Sequence, residues 1–337
     1  MATIKDISKR CGVSPATVSK ALNGYGDISE ETKQKILAAA TELHYTPNAA
    51  ARQLKTNTSH NIGVVFVDQT GSGLAHEYFS QILDSAKEEA EKRGYDITFI
   101  SENVGYGSYL EHCRYRNCDG VLVVSDDFTT RQIQELINSD VPTVIIDYVF
   151  DNHSSILSDN MDGKYLLTKY LIERGHTKIA YIHGEITSVT NKRLSGFYKA
   201  CMEAGIRIPD DYMITAKFHD PDSSAEATKQ LMRLKVPPTA IMYPDDYSYL
   251  GGLRMLEKLG ISIPDDVSVV GYDGIGLSQV IRPRLTTYYQ NAPEIGRRSA
   301  EKLIETIEHR KSCIPEAIRV SGKLLEGQTV RDLTAMQ

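Results

Sequence analysis

Asp68, Asp147, Asp245, Asp246 and Asp273 each stand at the end of a short run rich in β-branched and aliphatic residues, and neighbouring segments supply Tyr78, Phe79 and Arg193. Carboxylates accept hydrogen bonds from hydroxyls, a guanidinium donates them, and an aromatic face packs on the apolar side of a ring. Such a set suits a small polyhydroxylated ligand. Near the other end of the chain, Thr17, Ser19, Lys20 and Asn23 lie off the face shared by Val18 and Leu22. Donors and acceptors carried on one side of a short helix suit the edges of base pairs.

Other chemistries find little support. Gly71-Ser72-Gly73 begins like a dinucleotide loop, but His76 stands where the third glycine belongs. No phosphate-binding G-x-x-x-x-G-K-[ST] loop, no H-E-x-x-H and no G-x-S-x-G occurs, so an enzyme is not expected. His112-Cys113 and Cys118 have no second pair at ligand spacing, and neither a metal nor a cofactor is expected. The five cysteines are scattered and odd in number, which fits reduced thiols. The N-terminus carries no apolar run after its basic residues, and no stretch is long enough to span a bilayer. A cytoplasmic protein without membrane contact is expected.

Charge is divided unevenly along the 337 residues. Residues 1–60 carry eight Lys/Arg against five Asp/Glu, a net of +3, leaving 30 against 39, a net of −9, for the remainder. So mild a basic excess neutralises few phosphates, and one copy binds nucleic acid weakly.

The elements that must position these residues follow from pattern. Thr3 to Asp6 opens a first helix ending near Cys11-Gly12; Ser14-Pro15 caps a second, to Asn23; Ser29 caps a third that stops before Pro47. Ile36, Leu37, Ala40 and Leu43 form the stripe of the third. Helix, glycine-containing turn and short polar-faced helix have the spacing of a helix-turn-helix. From Asn61 onward, β-rich runs alternate with amphipathic helices (62–67, 95–100, 120–124, 143–146, 178–182, 240–243 and 267–270 against 79–93, 163–174, 194–204 and 249–259). This alternation predicts an α/β body with two parallel sheets flanked by helices, and therefore two lobes. Ligands of such sheets bind beyond the carboxyl ends of the strands, where the aspartates fall.

Three stretches carry a resemblance: Thr3-Ile4-Lys5-Asp6-Ile7, Gly12-Val-Ser-Pro-Ala-Thr-Val-Ser-Lys-Ala-Leu-Asn23, and Tyr45-Thr-Pro-Asn-Ala-Ala-Ala-Arg52. They resemble the LacI/GalR family of bacterial regulators, and the body resembles it more loosely. The resemblance implies a helix-turn-helix headpiece (1–47), a hinge helix and linker (48–60), and an effector-binding and dimerisation domain of periplasmic-binding-protein type (61–337). Its first lobe would take about 61–160 plus 291–320, its second about 161–290 plus the tail.

The implied partners are a pseudo-palindromic DNA operator, a second copy of the chain and a small effector, a sugar or sugar derivative. The implied DNA-contacting residues are Thr3, Ser14, Pro15, Ala16, Thr17, Ser19, Lys20, Asn23, Ser29, Asn48, Ala51, Leu54 and Lys55, with Leu54 wedging into a minor-groove base step. The implied effector residues are Tyr78, Phe79, Asp147, Arg193, Phe218, Asp245 and Asp273. Two departures from the family pattern stand out. Lys20 replaces a common arginine and loses its bidentate fork, and Asp245 replaces a common asparagine. A repressor released by its effector is the first reading. Co-repression by a purine or partner protein is the second, and a secreted solute-binding protein, which would lack the headpiece, is a different class.

Overall fold

The computed structural model describes residues 2–22, 27–46, 58–68, 71–102, 105, 107–125 and 127–334. They fall into two compact units, Met1–Ser59 and His60–Gln337.

The first unit holds helices α1 (Ile4–Cys11), α2 (Pro15–Leu22) and α3 (Glu30–Glu42). Thr3 and Asp6 form the reciprocal cap of α1, and Gly12 ends it in a left-handed conformation, φ 69°. Ser14 accepts from the Thr17 amide (3.1 Å) and Ser29 from the Thr32 amide (3.3 Å). Ile7, Cys11, Val18, Ala21, Ile36, Ala39 and Ala40 close a small core. The expected stripe of α3 needs correction here: Leu37 is exposed and Ala39 takes its place in the core. The larger side chain lies beyond the stripe that two short partner helices can cover.

The second unit contains two parallel sheets. Strands β1 (Asn61–Val67), β2 (Asp96–Ile100), β3 (Gly120–Ser125), β4 (Thr143–Ile146), β5 (Ser154–Ser158) and β11 (Ala317–Val320) make the first, in the order β11-β5-β4-β3-β1-β2. Helices α4 (Glu77–Lys92) and α12 (Ala292–Glu308) cover one face through Ile82, Leu83, Ile295 and Leu303. Helices α5 (Tyr109–Tyr115) and α6 (Arg131–Ile137) cover the other through Leu110, Cys113, Ile133 and Leu136.

Strands β6 (Ile179–His183), β7 (Met213–Thr215), β8 (Ala240–Met242) and β9 (Ser268–Val270) make the second sheet, in the order β7-β6-β8-β9. Helices α7 (Asn160–Glu173) and α8 (Ser188–Glu203) pack on one face, α9 (Pro221–Met232) and α10 (Asp246–Lys258) on the other. A short α11 (Gly276–Val280) follows β9, and β10 (Thr287–Tyr289) pairs antiparallel with β12 (Lys323–Leu325).

The chain passes between the sheets three times: between β5 and α7, between β10 and α12, and between β11 and β12. Both sheets reverse their strand order once, between β1 and β3 and between β6 and β8, which places a crevice beyond the carboxyl ends of those strands.

Candidate effector cleft and DNA-reading face

Asp147 follows β4, Asp273 follows β9, and His219 lies in the loop entering α9; all three hold positive φ, at 61°, 106° and 52°. Such backbone costs a non-glycine residue about 1–3 kcal/mol and persists where its surroundings over-determine it.

Asp147 and Asp273 are held by a continuous polar chain running between the lobes. The Tyr78 hydroxyl donates to Asp147 Oδ2 (2.8 Å), whose Oδ1 accepts from the Ser158 amide (2.7 Å). The Ser158 hydroxyl donates to Gln290 Oε1 (2.6 Å), and Gln290 Nε2 donates to Asp273 Oδ1 (2.6 Å). Arg193 Nη2 lies 3.9 Å from the same oxygen. Arg193 also donates to Asn160 Oδ1 (2.8 Å) and to the Pro244 carbonyl (3.0 Å), with its guanidinium 3.8 Å from the Tyr272 ring centroid. Ser158 and Gln290 sit on two of the three crossings, so the chain ties the hinge to both lobes.

Burial governs the charges. It pushes the Asp273 carboxyl well above the usual carboxylate range, although Arg193 pulls the other way. It raises Asp147 against the bonds from Ser158 and Tyr78. Burial pushes His76 down to about 3, with His219 adding to the effect, and burial also lowers His219. His219 Nε2 is 3.8 Å from Asp273 Oδ2 and 4.0 Å from Asp245 Oδ1. With the ring neutral, these approaches are not ion pairs. Lys164, fully buried between Tyr181 and Tyr272, is lowered well below an ordinary lysine by burial and then by Arg193.

The expected effector residues divide into those that converge and those that brace. Tyr78, Asp147, Arg193 and Asp273 join the polar chain. Phe218 lies 5.8 Å from the guanidinium and covers Gly184, where an added Cβ would come within 2.1 Å of its ring. Phe79 packs edge-on against Phe66 (5.4 Å) and tilts against His76 (4.5 Å). Asp245 caps α10 through the Ser248 amide (2.7 Å) and accepts from the His219 amide (3.0 Å). Asp68, at the end of β1, accepts from Gly73 N (2.7 Å) in its own loop.

Sequence reasoning did not pick out His219, Tyr247 or Gln290, and met His76 only as an interruption of a glycine pattern. His76 and His219 approach to 3.3 Å between ring centroids, and Tyr247 stacks on His219 at 5.8 Å and 18°. The available signal was position, since each borders a strand end or helix start on the crevice side. Glu77 joins the lobes as well, accepting from the Gly276 amide (2.8 Å).

On the headpiece, Pro15, Ala16, Thr17 and Ser19 lie on α2 around the buried Val18, and Lys20 pairs with Asp27 on an exposed face. Thr3, Ser14 and Ser29 act as helix caps. Asn23, Asn48, Ala51, Leu54 and Lys55 lie outside the described residues.

Comparison with known proteins agrees with this architecture. Residues 3–48 match the profile of bacterial regulatory proteins of the lacI family, and residues 168–330 match a periplasmic binding protein-like domain. The HTH-type transcriptional repressor PurR of Pasteurella multocida is 35% identical over 317 residues, 92% of this chain and 93% of its own. The PurR of Vibrio cholerae is 32% identical over 99% of both. Among solved structures, the lac repressor dimer bound to operator and the anti-inducer ONPF aligns with TM-score 0.79, 26% identity and coverage of 98% of this chain and 99% of that one. The transcriptional regulator CelR in complex with cellobiose aligns with TM-score 0.69 and 25% identity over 98% of this chain and all of that one.

Proposed function

Because the chain belongs to the lacI family of bacterial regulatory proteins and is a DNA-binding repressor with an effector domain, we propose that its cleft binds a small sugar or sugar derivative that weakens operator binding. The observation that carries this reading is the polar chain from Tyr78 through Asp147, Ser158, Gln290 and Asp273 to Arg193. Its groups can exchange their mutual bonds for bonds to a ligand's hydroxyls, while Phe79 and Phe218 offer ring faces. Because Gln290 and Ser158 stand on crossings between the lobes, a ligand that takes over those bonds shifts the lobes relative to one another.

In this reading two copies present their α2 helices to half-sites about one helical turn apart, with Thr17, Ser19 and Lys20 facing the bases. Lobe rotation changes how the two headpieces are presented to the half-sites. A second reading, a planar base acting as co-repressor, is favoured by one arrangement, the near-parallel rings of Tyr247 and His219, 18° apart in plane with centroids 5.8 Å apart.

The test is operator affinity of the full chain on a pseudo-palindromic duplex at fixed salt, against a panel of sugars and purines. The expected result is an affinity about 5- to 150-fold weaker with one sugar, the range of ordinary allosteric coupling. Arg193→Met should retain operator binding and lose the response. Tighter binding with a purine establishes the second reading, and indifference of the wild type to both classes rejects the effector cleft as drawn.

A further inference from the structure

We propose that His76, His219 and Asp273 form a binding site for one divalent transition-metal ion of the zinc type, bridging the two lobes across the cleft. One ligand atom from each residue can be chosen so that all lie within 4.8 Å of one another. His76 enters from the loop before α4 on the first lobe; His219 and Asp273 come from the second.

Two observations support the site. His76 is 7% exposed, yet its Nδ1 has no hydrogen-bond partner. A buried ring nitrogen without a partner needs an explanation, and an ion is among those that native structures supply. His219 and Asp273, both at positive φ (52° and 106°), bring Nε2 and Oδ2 to 3.8 Å from one another. Tetrahedral coordination with bonds of about 2.0–2.1 Å places neighbouring ligand atoms roughly 3.3–3.5 Å apart, within reach of small side-chain rotations.

The donor set selects the ion class. Two imidazoles and one carboxylate suit zinc, nickel or cobalt, whereas magnesium and calcium prefer all-oxygen sites. Neutral imidazole and ionised carboxylate are the ligating forms, so binding displaces any proton these groups hold. Three protein ligands leave a fourth position, and the cleft beside Asp245 and Tyr247 is where a ligand oxygen or water would take it. Only this last role rests on the effector reading.

The experiment uses the full chain stripped with chelator and reloaded with Zn2+. Equilibrium dialysis should give one tight ion per chain, and zinc-edge X-ray absorption should show an N/O first shell with two imidazoles. A sulfur shell, which would place the ion on cysteines such as Cys113 and Cys118, overturns the proposal, as does the absence of stoichiometric binding. His76→Gln and His219→Gln should each weaken Zn2+ binding at least about tenfold, a loss that even an outer partner of a metal ligand brings. Unchanged affinity in both also overturns it. Zinc binding is read without DNA or effector, so these outcomes stand apart from the operator test.

Discussion

Asp246 lies one residue beyond the cap of α10 and illustrates how much of this site is set by desolvation. It accepts from the Gly274 amide (2.9 Å), the Ile275 amide (3.0 Å) and the Thr287 hydroxyl (2.6 Å), all of which favour the carboxylate. Burial wins, and its pKa is pushed up to about 7. Gly271 leaves the space it occupies, since a Cβ there would come within 2.1 Å of Asp246 Oδ1. The folded pKa is raised above the unfolded value, so between about pH 4 and 7 the native chain holds a proton that the unfolded chain has released. Stability from this group is therefore present at low pH and lost as pH rises through that window, with a ceiling of roughly 4 kcal/mol. Denaturant unfolding of the body at pH 5 and pH 8 should show the wild type losing stability on the alkaline side. Asp246→Asn should flatten that loss, and Asp147 and Asp273, still present in the variant, cancel in the comparison. An equal slope in both proteins counts against this assignment. The aspartates at strand ends were legible because a strand leaves its last residue facing the crevice. Gln290 and His219 were not, because their roles depend on which crossing and which loop meet in space.

Helix packing explains both the legibility of the elements and the errors at their ends. The expected segments 79–93, 163–174, 194–204 and 249–259 all exist as helices, but they begin at Glu77, Asn160, Ser188 and Asp246. The residues added at their starts include buried polar ones such as Asn160 and Arg193, so apolar periodicity could not reveal them. The crossing of α4 and α12 is as tight as backbone allows: at Gly296 an added Cβ would lie 2.0 Å from the Ile82 carbonyl oxygen. Gly296→Ala must push the two helices apart, against its gain in helix propensity, and should cost about 1–3 kcal/mol. Thermal unfolding of the purified chain checks this, and an unchanged or raised midpoint would mean that the helices separate freely.

At the scale of the molecule, the first sheet ends on β2, an edge strand that leaves Phe99 52% exposed, with Leu74 (53% exposed) and Lys87 lining the same shallow groove. An apolar edge invites pairing, and a second copy is the partner that the weakly basic headpiece requires. Phe99→Glu should shift the sedimenting species toward monomer at micromolar concentration and weaken operator binding at least about tenfold. Retention of both properties would place the dimer contact elsewhere. The LacI-type headpiece was readable from its nearly continuous motif, whereas this face was not, because an exposed phenylalanine on an alternating strand looks like any solvent-side residue.

The three crossings between the sheets bear on how the protein is made. Strand β11 and helix α12 belong to the first sheet although they arrive near the end of the chain. During synthesis the headpiece, complete by Tyr45, can fold at once, whereas the first lobe waits on the order of tens of seconds for its last strand. Through that interval each ribosome carries a finished DNA-reading module without a finished body. Since one module holds DNA weakly, nascent chains should not compete for the operator, and repression should begin only with chain release and pairing.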